Sequence, residues 1–268
     1  MVTVHNLSYA ELIRMAQDRD SAACKDSFDH WADDSEYRRG WAGGSEADFK
    51  RRAVVGSAAF GDEIRRHLSN MPTVATPPSD GWTSKPVGFL PHVPAYVSNA
   101  TPNTMLTRKP VGAPEPVRVF VNTFVSWMNS NETITKRGAV VAALIESLRN
   151  HVPVELVVCG VNGSKRSNRE GIVGMVRVPV DTLDFDRLAF VLADPLFLRR
   201  GMFKVDTSYF YVETTGPMYT GSEDKLLAAM GVTSRDVYLD GLSGDCNAEW
   251  AEIDATAWVA EQVAKRVA

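Results

Sequence analysis

Residues 154–180 read VELVVCGVNGSKRSNREGIVGMVRVPV, and they decide the fold class. Val154–Val161 and Ile172–Val180 are two apolar, β-branched runs of strand length. Between them lies only the polar, basic stretch Gly163-Ser-Lys-Arg-Ser-Asn-Arg-Glu-Gly171. Parallel neighbours need a crossover of a dozen or more residues, normally a helix. This connection is too short for one, so the two strands are expected to pair antiparallel.

Outward from that pair the pattern changes. Val117–Asn122 is another apolar run, and Asn131 or Ser130 stands where a helix cap belongs. That helix would bury Ile134, Val141, Leu144, Ile145 and Leu148. A helix is expected over about 184–193, a strand over 207–213, a short helix from Ser222 to Met230 and a strand over 235–240. The final helix follows a cap at Asp254, with Trp258, Val259, Val263 and Val267 inward. Strands alternating with helices predict a mostly parallel sheet with helices on both faces.

N-terminal to this lie two different zones. Residues 1–70 read as a helical region. Ser8-Tyr-Ala-Glu11 has capping-box spacing, and a second helical run starts near Ser45. Residues 71–116 hold ten of the chain's 14 prolines, too many for long helices or central strands. This segment also carries Trp82, Phe89, Leu90, Tyr96 and Leu106, which favours an extended segment packed along the core. The expected organisation is therefore 1–70, 71–116 and 117–268.

Composition excludes several classes. The 268 residues are 44% hydrophobic and 23% charged, ordinary for a folded chain. No run approaches ~20 uninterrupted apolar residues, so no membrane span is expected. Cys24, Cys159 and Cys246 are far apart and form no C-x-x-C pair, which disfavours a disulfide framework and a zinc ribbon. A cytoplasmic setting is expected. The net charge of -4 argues against nucleic-acid binding by the whole chain, though not by a local patch.

No histidine pair has metal-ligand spacing, and no Gly-x-Ser-x-Gly elbow or nucleotide-binding glycine loop is present. Two clusters remain. Arg51, Arg52, Arg65 and Arg66 on the N-terminal helices, with Lys165, Arg166 and Arg169 in the hairpin loop, have the chemistry to contact a phosphate backbone. Acids interleave them, 13 Asp or Glu against 10 Lys or Arg in residues 1–80, so a salt-bridged solvent face is the competing reading. Late in the chain, Asp240 and Asp245 could act as paired carboxylates in a metal-dependent hydrolase. A solvated loop and a helix cap account for the same residues.

The element order resembles the von Willebrand factor A domain. In that family a first strand ends in Asp-x-Ser-x-Ser and a later one in Asp-Gly, and together they hold a divalent ion. Here the matching positions are Asn122-Thr-Phe-Val-Ser126 and Asp240-Gly241. The resemblance implies a Rossmann-like sheet with one antiparallel edge strand, and a metal site reduced to Ser126 and Asp240. Such a site would bind Mg²⁺ weakly or not at all.

Gly40-Trp41-Ala-Gly43-Gly44, Arg137-Gly138-Ala139, Asp184-x-Asp186-Arg187-Leu188 and Asp194-Pro195 also resemble an uncharacterised, bacteriophage-associated family. That likeness implies a phage protein of the host cytoplasm or the virion. The expectation it leads to is a non-enzymatic module. Asn122, Thr123, Ser126, Trp127, Asp240 and Ser243 would bind another protein at the carboxyl edge of the sheet. A nucleic-acid-associated role through the arginines is the alternative.

Overall fold

A computed structural model describes residues 2–17, 40, 42–69, 82–85, 90–91, 105–108, 115–126, 128–149, 151–162, 171–180, 185–202, 223–242 and 244–267. The expected strand 207–213 lies outside these. Among the described residues the central sheet has five strands, in the order β1-β7-β6-β5-β8. Its strands are β1 (Val2–Ser8), β5 (Val117–Asn122), β6 (Val154–Asn162), β7 (Gly171–Val178) and β8 (Val237–Leu239). β5 is parallel to β6 and to β8. β6 and β7 are antiparallel, from Leu156 opposite Val178 to Asn162 opposite Ile172, as the short connection requires.

Two expectations are corrected here. The antiparallel strand is not at the edge: β7 lies between β6 and β1. The outer position belongs to residues 2–8, read above as part of a helical region. β1 pairs with β7 in parallel, from Val2 opposite Gly171 to Ser8 opposite Arg177. Two strands therefore run against the other three. The physical reason is that the exposed residues of β1, Thr3 on one face and Asn6 and Ser8 on the other, break the apolar alternation, so its local pattern does not mark a strand. Its partner β7 supplies the ladder that makes it one.

The helices follow their sequence signals closely. α1 (Tyr9–Gln17) starts at a reciprocal cap. The Ser8 N–H donates to Glu11 Oε2 at 2.7 Å, and the Glu11 N–H donates to Ser8 Oγ at 3.2 Å. α2 (Glu46–Val55) repeats the device with Ser45 and Asp48. α3 (Ala58–Ser69) follows across Gly56, whose φ is 82°. A Cβ there would lie 2.4 Å from the Asp186 carbonyl carbon, so only glycine lets this elbow press on the next layer.

In the proline-rich segment the described residues form a second, three-stranded antiparallel sheet. Its order is β2-β4-β3, from β2 (Trp82–Lys85), β3 (Leu90–Pro91) and β4 (Met105–Arg108). The sequence reading had no strands there. Pro91 is tolerated because β3 is an edge strand.

α4 (Asn131–Arg149) is capped by Ser130, whose Oγ accepts the Thr133 N–H at 3.1 Å. Thirteen of its 19 residues are buried, including every position expected on its apolar face. A helix so enclosed must be packed on several sides. One neighbour is α5 (Phe185–Ala193), which leads through Asp194 and Pro195 into a π-helical turn, Phe197–Gly201. A Cβ on Gly138 would sit 2.6 Å from Ala193 Cβ, so the α4–α5 crossing demands glycine. α6 (Glu223–Met230), α7 (Asn247–Glu252) and α8 (Ala255–Val267) complete the described helices. Asp254 Oδ1 accepts the Ala257 N–H at 3.0 Å, the cap expected for α8.

A large core fills the space between β5, β6 and helices α4, α5 and α8, with Phe49 and Ile64 reaching in from α2 and α3. Phe49, Phe190 and Phe197 stack in sequence, with centroids 5.7 and 5.3 Å apart. On the other sheet face, Phe120, Val157, Cys159 and Met175 pack with Leu226 and Met230 of α6.

The motifs Gly43-Gly44, Gly138 and Asp194-Pro195 meet in one place. Gly43 abuts Pro195, Gly44 abuts Leu196, and Gly138 abuts Ala193. Asp194 has a fully buried carboxylate that accepts Arg52 Nη1 through both oxygens, at 3.2 and 2.9 Å. Its Oδ1 also accepts the Leu196 N–H at 2.9 Å. These residues carry architecture: they dock α2 onto the end of α5.

Candidate functional site at the carboxyl ends of β5 and β8

In open α/β sheets the strand to each side of a topological reversal leaves a crevice at its carboxyl end. Here the chain passes from β5 to β6 on one side, and β8 later adds on the other. The crevice therefore lies beyond Asn122 and Asp240. The β5–β8 ladder stops at Val121 opposite Leu239. Beyond it, Arg137 of α4 joins the two strands. Its Nη2 donates to Asn122 O at 2.9 Å and to Asp240 O at 2.6 Å.

Arg137 is only 3% exposed, and its Nε has no hydrogen-bond partner among the described residues. Burial pulls its pKa down to about 10, with the nearby Cys159 and Asp240 opposing that shift. Burying a guanidinium is costly, of order several kcal/mol before compensation. The return is a fixed geometry for both strand ends.

Side chains on the crevice are bound to one another. Asp240 Oδ1 accepts the Gly241 N–H at 2.7 Å, Asn122 Nδ2 at 3.1 Å and the Tyr238 hydroxyl at 3.3 Å. Asn122 Oδ1 accepts the Phe124 N–H at 3.1 Å. Burial pushes the Tyr238 phenol upward, and the neighbouring Asp240 carboxylate adds to it. Gly241 is required: a Cβ there would lie 2.9 Å from Phe124 Cβ.

Further out, the loop after β5 is pinned from two directions. Arg199, from the π-helical turn, donates Nη2 to Asn129 O at 2.9 Å and to Ser126 O at 3.3 Å. Asn129 is buried and works as a staple. Its Nδ2 donates to Leu242 O at 3.1 Å and Gly244 O at 2.9 Å, and its Oδ1 accepts the Cys246 N–H at 2.9 Å. Asn247 adds three more ties. Its Oδ1 accepts the Ser130 N–H and the Thr133 hydroxyl, and its Nδ2 donates to Met128 O. Both strand-end loops thus form one cross-linked unit.

Of the predicted face residues, Asn122 and Asp240 are in contact. Thr123 is buried, and its Oγ1 donates to Cys159 O at 3.1 Å, so it braces β5 against β6. Ser126 is bound to Leu242 instead of Asp240: its N–H donates to Leu242 O at 2.8 Å. Trp127, Ser243, Lys165, Arg166 and Arg169 lie outside the described residues. Arg137 was quoted from the sequence only within the Arg137-Gly138-Ala139 step, with no site role, and Arg199, Asn129 and Asn247 were not singled out. No local pattern distinguishes a buried arginine from a solvated one.

The residues present do not fit a divalent ion of the kind the von Willebrand factor A resemblance implies. Asn122 turns its amide hydrogens toward Asp240, and its oxygen is occupied by the Phe124 N–H. Phe124 brings no oxygen ligand in its side chain. Ser126 Oγ accepts the Met128 N–H at 3.3 Å. A hard cation needs several oxygens converging on one point. Asp245, the other candidate carboxylate, is engaged elsewhere, accepting the Asn247 N–H and Nδ2 at 3.1 and 2.7 Å.

The four N-terminal arginines each meet a carboxylate. Arg51 meets Asp48 at 3.3 Å, Arg52 meets Asp194, and Arg66 meets Glu63 at 3.3 Å. Arg65 bridges Asp62 and Asp186, both at 2.7 Å, and lies over the Phe185 ring. Arg52 and Arg65 thereby tie α2 and α3 to α5. The interleaved acids noted in the sequence are their partners.

Fold and site together define an α/β protein with a braced strand-end face. The chain belongs to the family described as a domain of unknown function, DUF7192, whose model matches residues 2–266. Comparison with curated proteins and with solved structures returned no match. No helix among the described residues is long and apolar enough to cross a membrane.

Proposed function

We propose that this protein is a non-enzymatic interaction module that binds another protein at the carboxyl edge of its sheet. The single observation carrying this reading is the bracing of the strand-end loops. Arg137, Arg199, Asn129 and Asn247 bond to main-chain groups of Asn122, Met128, Asn129, Asp240, Leu242 and Gly244 and so fix the two strand ends. A face fixed before contact loses less entropy on binding. It presents an apolar group, Met128 at 46% exposure, on the loop after β5 and the exposed carboxylate of Asp240 at the end of β8. An apolar centre with a polar rim is the usual anatomy of a protein interface.

In this proposal the fold is a divergent von Willebrand factor A-like domain of phage origin, working in the host cytoplasm or the virion. Its binding does not pass through a metal bridge. The same side chains argue against a hydrolytic reading, because Asp240 and Asp245 have separate structural partners.

The test is capture by immobilised wild-type protein and by a Met128→Glu/Asp240→Lys variant. Met128 is exposed, so Met128→Glu alone should unfold at the wild-type midpoint, and because Asp240 Oδ1 accepts three hydrogen bonds the double variant is compared at a temperature where its far-UV spectrum shows it folded. The expected result is a protein partner retained by the wild type and lost by the variant. Equal retention by both would place the binding surface elsewhere.

A further inference from the structure

We draw no further inference here: the strongest candidate, the acidic stretch Asp245, Glu249, Glu252 and Asp254 along α7 beside exposed Met128, flanks the site already described and is a cluster of carboxylates with no second observation to say what it holds.

Discussion

Replacing Arg52 by Met tests the docking of the N-terminal helices onto the core. The Asp194 carboxylate has no exposed surface, and Arg52 Nη1 bonds both its oxygens. Methionine keeps the stem of the side chain and removes the charge. An uncompensated buried carboxylate remains, which costs about 3–5 kcal/mol. With an m value of about 3 kcal/mol per M in urea, the midpoint falls by about 1–1.7 M. Equilibrium unfolding followed by tryptophan fluorescence reads this directly.

Two internal controls sharpen the test. Asp194→Asn removes the charge while keeping an oxygen for the Leu196 N–H, so adding it to Arg52→Met should restore part of the loss. The pH dependence has a definite sign. Burial raises the Asp194 pKa above its ordinary 3.8, and Arg52 opposes that shift. A carboxyl with a raised folded pKa stabilises fully below the unfolded value and loses that contribution as pH rises through the folded value. Without Arg52 the rise is larger, so the cost of Arg52→Met should shrink as pH falls toward 4. A loss below about 1 kcal/mol, against the 3–5 expected for breaking a buried pair, would refute the reasoning. So would a double variant with fully additive losses.

Three further outcomes are expected. Arg137→Met strands two carbonyls at the ends of β5 and β8, costing about 1–3 kcal/mol, and Arg137→Ala adds a cavity and costs more; wild-type denaturation curves for both would show that the guanidinium contributes nothing. Ser45→Ala opens the cap of α2 and costs about 1 kcal/mol at neutral pH. Bonds from Ser45 hold the Asp48 pKa at about 2, below its ordinary 3.8, so that contribution is present above pH 3.8 and is lost as pH falls toward 2; a Ser45→Ala deficit that persists undiminished at pH 2 contradicts it. Calorimetric titration with Mg²⁺, Mn²⁺ and Ca²⁺ should detect no micromolar site, and micromolar binding abolished by Asp240→Ala would overturn the reading of the crevice.

Much of the sheet was legible because its signals are local. The eight-residue interval between Asn162 and Gly171 sufficed to orient β6 against β7, whatever surrounds them. Ser8, Ser45, Ser130 and Asp254 mark helix starts because a cap is a contact within one turn. The apolar spacing of Ile134 through Leu148 identified the buried helix α4 for the same reason.

What escaped was non-local. β1 is a strand because β7 lies beside it, and β7 is interior because β1 takes the outer place. Nothing in VTVHNLS encodes that partner. Asn122 and Asp240 were legible as neighbours through their strand ends, yet the group joining them was not. Arg137 reaches both carbonyls only after α4 has packed across β5, and Arg199 reaches Ser126 and Asn129 from a turn 70 residues further along the chain. The sequence by itself determined the elements, their caps and the antiparallel turn, since each depends on neighbours in the chain. Tertiary structure alone decided which arginines are buried and which strand is the edge, since burial and pairing are properties of groups that meet only when the chain is folded.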